Sequence, residues 1–447
     1  MEALEQRIPN VRAIKQPKLI IKVLIAACFQ YLKHIFFFEK SIEKNKMEKI
    51  KNKKWSFVTK TILILGLVSF FTDIASEMLY PIMPMYLSSI GYGVVAIGLV
   101  EGISELFAGF TKLYSGILSD RTGHRAIFIK IGYAISAIAK PAIGFTSSIG
   151  LVVGAKFLDR FGKGIRTSAR DALITSESKP EVRGQAFGFH RSMDTLGALI
   201  GPIIGLIILV IYPTNYSLVF ALAIIPGLIA VFCTFLLKKE PPTPQGVPQQ
   251  KIILRFKEFW KQSSFSYKKI LFGLVFFALI NSTNMFLILR ATEIGFKDNI
   301  VLLAYIIFNL IFAIFSLPIG KIADKLGFKK VYILGLGIFT LVYGILGGSI
   351  DSPFVLLSVF AFYGIFAAID EGASKAWIST HIKKEHRATG LGLYFALSSL
   401  AFFISSIATS FVWQKYGSAM TFTLVSLISI IPIIYFSLIK TPNENPE

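Results

Sequence analysis

The sequence predicts an all-α polytopic membrane protein, with about twelve transmembrane helices in two pseudo-symmetric six-helix bundles. Three observations predict it: the apolar balance of the chain, the alternation of its basic loops, and a turn that occurs twice. Of the 447 residues 54% are hydrophobic and only 16% charged, a balance that soluble domains rarely show. Apolar segments of roughly 20 residues match a ~30 Å hydrocarbon core at about 1.5 Å rise per residue, and about twelve fit between Lys60 and Lys440. Helices are the natural form for them, because oil offers backbone groups no other partner.

The net charge of +21 would fit nucleic acid by size alone, but its placement argues otherwise. Basic residues gather in Lys49 to Lys60, Arg121 to Arg125, Lys179 to Arg183, Lys238 to Lys269, Lys321 to Lys330 and Lys383 to Arg387. The connections between them, near Gly91, Ser147, Pro213 and Asp351, carry almost none, with Lys297 and Lys415 as exceptions. This is the positive-inside pattern, which predicts that both termini are cytoplasmic; a bacterial plasma (inner) membrane is the expected location. Lipid bilayer is the expected partner of such a chain, read as a monomer, and nucleic acid is not.

The repeated turn is GILSDRTGHR at Gly116 to Arg125 and GKIADKLGFKK at Gly320 to Lys330, an offset of 320 − 116 = 204 residues. Arg183 and Arg387 keep the same offset, as do Gly188 and Gly392, so the repeat extends past the turn. The motif resembles the signature loop of the major facilitator superfamily of secondary transporters, G-x-x-x-D-(R/K)-x-G-(R/K)-(R/K), which joins the second and third helices of each half. Gly116, Asp120, Arg121, Gly123 and Arg125 match in the first copy, with His124 in place of one base. Gly320, Asp324, Lys325, Gly327, Lys329 and Lys330 follow in the second, with Phe328 as an extra step. The resemblance implies a charge cluster that latches the cytoplasmic side in one state and releases it in another, and Asp171 is counted with it. A topological anchor held by lipid head groups is the plainer alternative.

Residues 1–54 read as a cytoplasmic extension, with one apolar patch at Leu19 to Phe38. It is a surface helix, an uncleaved leader, a further span, or a start-site artefact, because Met47 opens MEKIKNKKW as such a transporter would begin. Residues 55–237 form the first bundle, 238–268 a Pro-rich and then Lys-rich cytoplasmic loop, 269–440 the second bundle, and 441–447 a cytoplasmic tail. Cys28 and Cys233 lie in apolar surroundings without metal-ligand spacing, so neither a disulfide framework nor a metal site is expected.

The first span, about Thr61 to Leu87, carries Asp73 and Glu77 one turn apart on one face, with Asp73 about 18 Å into the bilayer. An acid at that depth should face a cavity or a basic partner. The second span repeats the device with Glu101 and Glu105. These four acids are the candidate proton carriers, because a carboxyl group in a dry cleft can exchange its charge for a proton. The fourth span is the most unusual: Lys156, Asp159, Arg160, Lys163, Arg166, Arg170 and Asp171 fall within an arc of about 140°. Such a stripe cannot face lipid, and should line the cavity or pack against Asp73 and Glu77. Lys156, Arg160 and Lys163 are candidates for the cavity, whereas Arg166, Arg170 and Asp171 are read as bracing the cytoplasmic turn. Arg160 with Gly164 also resembles the family's fourth-helix R-x-x-x-G motif, which implies a part in proton coupling for Arg160.

In the fifth span Gly188, Gly197, Gly201, Pro202 and Gly205 resemble the glycine–proline motif of the superfamily's drug and proton exporters; mechanically they make a groove for a neighbouring helix. His190 and Asp194, one turn apart, either relay a proton or form a satisfied pair. The second half carries fewer charges, and its cavity candidates are Asn281, Asn284, Asp370 and Glu371. Asp370 occupies the place related to Arg166 by the repeat, which suggests ion pairs across the central pathway.

No P-loop, metal cluster, cofactor motif or nucleophile–base constellation is visible, so hydrolysis and ATP-driven pumping are disfavoured and the chain is not expected to be an enzyme. The resemblance implies alternating access about one central site ringed by helices one, four, seven and ten. The leading expectation is a secondary active transporter that exports a small organic molecule by proton coupling, as an antiporter. Uptake or exchange of an anionic solute is the alternative favoured by the basic fourth span, and a non-transporting membrane sensor or lipid-binding protein is the alternative from another class.

Overall fold

The computed structural model describes residues 58–122, 124–178, 183–237, 252–382 and 387–439. The chain divides at Ser56 into two units, and the described residues all belong to the second. The extension with its apolar patch, most of the central loop and the tail therefore lie outside the described residues.

Every regular element among the described residues is a helix. The first half contains α1 (Lys60–Leu79), α2 (Met83–Ser89), α3 (Val94–Thr122), α4 (Arg125–Ile143), α5 (Ile149–Glu177), α6 (Arg183–Ile211), α7 (Tyr216–Leu222) and α8 (Ile224–Phe235). The second contains α9 (Ile252–Gln262), α10 (Phe265–Ala278), α11 (Met285–Glu293), α12 (Asp298–Leu326), α13 (Phe328–Gly347), α14 (Pro353–Thr380), α15 (Arg387–Ile428) and α16 (Ile430–Leu438). Nine stretches among the described residues are long and apolar enough to cross a membrane. The count falls short of twelve for physical reasons. Helix α5 is long enough but too charged, α10 and α11 together make one crossing unwound at Asn281 to Thr283, and the last stretch, Thr389–Leu438, contains two crossings.

The double crossing follows from its contacts. Gly390 meets Phe259 at one end of the bundle, Ser418 meets Arg290 at the other, and Lys329 reaches the carbonyls of Ser437 and Ile439 back at the first. The chain crosses, reverses at Gly417 and returns. Gly417 has φ = 80°, a left-handed conformation that glycine adopts without a Cβ clash.

We call the end that carries Arg125 and Lys329 the turn end and the other the far end. At the turn end the structure departs from the sequence reading. Helix α3 runs through Gly116, Asp120 and Arg121 to Thr122 before α4 starts at Arg125, so most of the expected turn is helical. Gly123 lies outside the described residues. In the second copy the reversal narrows to Gly327, with φ = 89°, while Gly320, Asp324 and Lys325 belong to α12 and Lys330 to α13. The run tolerates helix because it holds no proline, and only the last glycine must bend.

Apolar side chains cover the outside, such as Phe110, Phe145, Leu438 and Phe232, the last 70% exposed. A surface this apolar requires oil around it. Within each half, helices pair closely: α4 with α5, α1 with α6 and α3 with α5 in the first, α12 with α14 in the second. The halves meet chiefly through α3 against α15 and α6 against α12. Small residues set the first seam, since a Cβ on Gly98 would lie 2.9 Å from the Ser406 carbonyl oxygen and one on Gly109 2.9 Å from Ser399 Oγ. At the far end Tyr216 donates to Asp298 at 2.5 Å. Nearer the turn end Arg191 on α6 pairs with Glu371 on α14, which also holds Lys375 at 3.2 Å.

Candidate functional site: a charged cavity in the first bundle

The charged stripe of α5 faces inward, and glycines make the approach possible. A Cβ on Gly132 would fall 2.6 Å from the Gly162 carbonyl oxygen and 2.8 Å from Arg166 Cβ, and one on Gly164 2.6 Å from Thr111 Cβ. Helices α4 and α3 thus lie directly against α5 on either side.

Between α1, α4 and α5 lies a cavity of about 60 Å³, room for about four to six waters. Its wall includes Asp73, Ser76, Glu77 and Tyr80 from α1 and its end, Lys140 from α4, and Lys156, Asp159, Arg160, Lys163 and Arg166 from α5. All these residues belong to the first half, whereas the sequence reading placed one site among the first, fourth, seventh and tenth helices. The second half touches the site at its edge: Tyr305 of α12 donates to Glu77 at 2.8 Å and stacks on Tyr80 at 5.7 Å between ring centroids.

The pairings also differ from the expected ones. Lys156 lies 3.0 Å from Glu101, and Arg160 lies 3.4 Å from both Glu101 and Glu105. Lys140, which sequence reasoning missed, holds Asp159 at 2.8 Å. The α5 bases therefore pair with α3 acids and not with Asp73 and Glu77. Their positions explain it, because Glu101 and Glu105 lie on the helix packed directly against α5.

Arg166 is a second correction. It lines the cavity at 5% exposure instead of bracing the turn end. Its guanidinium lies 4.4 Å from the Tyr133 ring centroid and donates to Ser136 Oγ, both neutral partners. Arg170 and Asp171 pair with each other at 3.0 Å, and Arg170 also reaches Ser69. Asp370 does not answer Arg166 across the pathway; it accepts from Tyr332 at 3.1 Å. Charge crosses between the halves at Arg191 and Glu371 instead. Asn284 accepts from Tyr363 at 2.7 Å, while the buried Asn281 Oδ1 has no hydrogen-bond partner in the unwound segment between α10 and α11.

On α6, Gly197, Gly201 and Gly205 lie against the α1 backbone: their Cβ atoms would stand 2.4, 2.7 and 3.1 Å from the carbonyl oxygens of Phe70, Ile74 and Met78. Gly188 meets nothing within 4 Å. Pro202 sits inside the helix. His190 and Asp194 approach to 3.5 Å, and Asp194 lies within electrostatic reach of Asp73 across this seam.

Two repeated bundles, an apolar exterior and a charged cavity in the first half, touched at its edge by Tyr305 of the second, are the features of a membrane transporter. Comparison with known proteins places it further. The model of the Major Facilitator Superfamily matches residues 65–306 and 270–447, and the chain belongs to that family, whose members are transporters and not enzymes. An uncharacterized MFS-type transporter of Methanocaldococcus jannaschii is 34% identical over 405 residues, covering 88% of this chain and 96% of that protein. The multi-drug resistance efflux pump PmrA of Streptococcus pneumoniae is 24% identical, covering 80% of this chain and 90% of the pump. Among solved structures the nucleoside transporter NupG superposes with a TM-score of 0.70 at 14% identity, covering 85% of this chain and 98% of that one, a likeness of fold alone.

Proposed function

We propose that the chain is a proton-coupled secondary active transporter, moving a small organic molecule by alternating access between two six-helix bundles. The observation that carries the reading is the site itself: Asp73 and Glu77, acids deep in the span, border a cavity of about 60 Å³ beside Arg160 and Arg166, with Tyr305 of the other half at its edge. Acids in such a place can take and release protons, and rocking one half moves Tyr305 on or off Glu77. On this reading the turn end is cytoplasmic, in a bacterial inner membrane.

Export as an antiporter is supported by the efflux relatives and by the tight α1–α6 glycine contact that resembles the exporters' motif. Uptake or exchange of an anionic solute is the second reading, favoured by Arg166 and Lys163, which have no carboxylate in ion-pair contact among the described residues. The test is flux in proteoliposomes under an imposed proton gradient, with a panel of labelled organic acids, organic cations and neutral solutes. Wild type accumulates or expels a member of the panel only with the gradient, and Asp73→Asn abolishes gradient-driven flux while keeping energy-independent exchange. Undiminished gradient-driven flux in Asp73→Asn removes Asp73 from the mechanism.

A further inference from the structure

The cavity's charges are of two kinds. Arg160 and Arg166 carry guanidinium groups, the side-chain cation that does not deprotonate in proteins. The acids around them, Asp73, Glu77, Asp159, Glu101 and Glu105, can each become neutral. Three are held by cations: Asp159 by Lys140, and Glu101 and Glu105 by Lys156 and Arg160. Asp73 and Glu77 have no cation in ion-pair contact among the described residues, and Glu77's close partner is the Tyr305 hydroxyl. Arg166 and Lys163 likewise have no carboxylate in ion-pair contact among the described residues, Arg166 resting on Ser136 and Tyr133. The five bases Lys140, Lys156, Arg160, Lys163 and Arg166 face these five acids, with Asp194 on α6 a sixth beside Asp73. Protonating both Asp73 and Glu77 leaves five bases against four carboxylates, a net positive site.

Arg160, 9% exposed, is already held by Glu101 and Glu105. The cavity of about 60 Å³ holds a head group and not a whole metabolite. Beyond it stand Tyr80 and Tyr305, stacked at the edge of the second half.

We propose that this cavity binds the acid group of the transported solute, a carboxylate or phosphate, on Arg166 and Lys163, and does so together with protons on Asp73 and Glu77. The body of the solute then lies between the halves against Tyr80 and Tyr305. Proton and acid group bind in concert, so they travel the same way, unlike a cationic drug, which would compete with the proton for the same carboxylates. The proposal rests on the proton-coupled reading above and takes its anionic branch. The charges that face Asp73 are Asp194 on α6, Lys163 and Arg166 on α5 and Glu77 on its own helix; those that face Glu77 are Lys163, Arg160 and Lys156, besides Tyr305.

The test is ligand-induced thermal stabilisation of the full-length protein in detergent, from pH 5.5 to 8, in constant chloride. The probes are inorganic phosphate, succinate and benzoate, with tetraphenylphosphonium as the cationic control. Apparent affinity for at least one acid falls as pH rises, by up to about tenfold per pH unit for each proton taken up. The Asp73→Asn/Glu77→Gln variant binds the same acid with little pH dependence. Arg166→Gln weakens it at least tenfold; where that variant does not fold, Lys163→Gln, at an exposed position, gives the weakening instead. Acid binding that is absent at every pH, that strengthens as pH rises, or that survives loss of these cations overturns the proposal, as does tighter binding of tetraphenylphosphonium at high pH. If gradient-driven flux persists in vesicles while any of these holds, the acid site falls and the carrier stands. If no solute responds to a gradient, the carrier reading itself falls.

Discussion

Lys140→Met breaks the pair between α4 and α5 and should unfold the first bundle early. Lys140 Nζ stands 2.8 Å from Asp159 Oδ1, with side-chain exposures of 4% and 13%, so removing the ammonium leaves a mostly buried carboxylate at the cavity wall without its close partner. Breaking a buried pair costs about 3–5 kcal/mol. The lower end applies here, because Arg160 and Arg166 remain within electrostatic reach of Asp159. A loss of about 3 kcal/mol lowers Tm by about 6–12 °C in a domain of this size. The assay is thermal unfolding of the purified protein in one detergent, with the double variant Lys140→Met/Asp159→Leu completing the cycle. Removing both charges restores Tm to within a few degrees, because neither desolvated charge is left alone. A single variant as stable as wild type, or a double variant as unstable as the single, refutes the claim that this pair ties α4 to α5.

Gly201→Leu forces a side chain where even Cβ would lie 2.7 Å from the Ile74 carbonyl oxygen and 2.8 Å from the Met78 nitrogen; overpacking against backbone costs about 3 kcal/mol, and a Tm within two or three degrees of wild type contradicts the contact. Arg191→Cys/Glu371→Cys joined by a short bifunctional thiol reagent should stop exchange, and cleavage of the linker should restore it; exchange that continues while the halves are linked shows that they need not part there.

Much of the fold was legible because oil imposes two simple demands, apolar length and satisfied backbone, and both can be read from runs of residues. The repeat offset and the basic loops added the pairing of halves and an expected orientation. The cavity was legible only in part. The stripe on α5 announced that Lys156, Arg160 and Lys163 turn inward, and the i,i+4 acids announced Asp73 and Glu77. Which acid meets which base was not legible, because partners are set by the packing of α3 and α4 on α5. That packing depends on Gly132, Gly162 and Gly164, whose close contacts look in sequence like any other small residues. Lys140 was missed for a related reason. It stands alone in an apolar run before Pro141, and nothing nearby in sequence reveals that Asp159 waits on the next helix. The signal that could have found it was the rarity of a lone lysine deep in a span. Arg166 was assigned to the turn end by its position near the helix end, but Tyr133 and Ser136 on α4 hold it at the cavity.

The account depends on water reaching the buried charges through a cleft that opens and closes. Ser76 lines the cavity beside Glu77, so the direct measurement is the reactivity of Ser76→Cys towards a negatively charged, membrane-impermeant methanethiosulfonate reagent. Cys28 and Cys233 are replaced by serine, and Phe232→Cys on the apolar exterior serves as the control. The account predicts that Ser76→Cys reacts at least tenfold faster than Phe232→Cys and that a bound solute slows it. A cysteine at 76 as inert as the one at 232 would mean that these charges are sealed from water, and would contradict it.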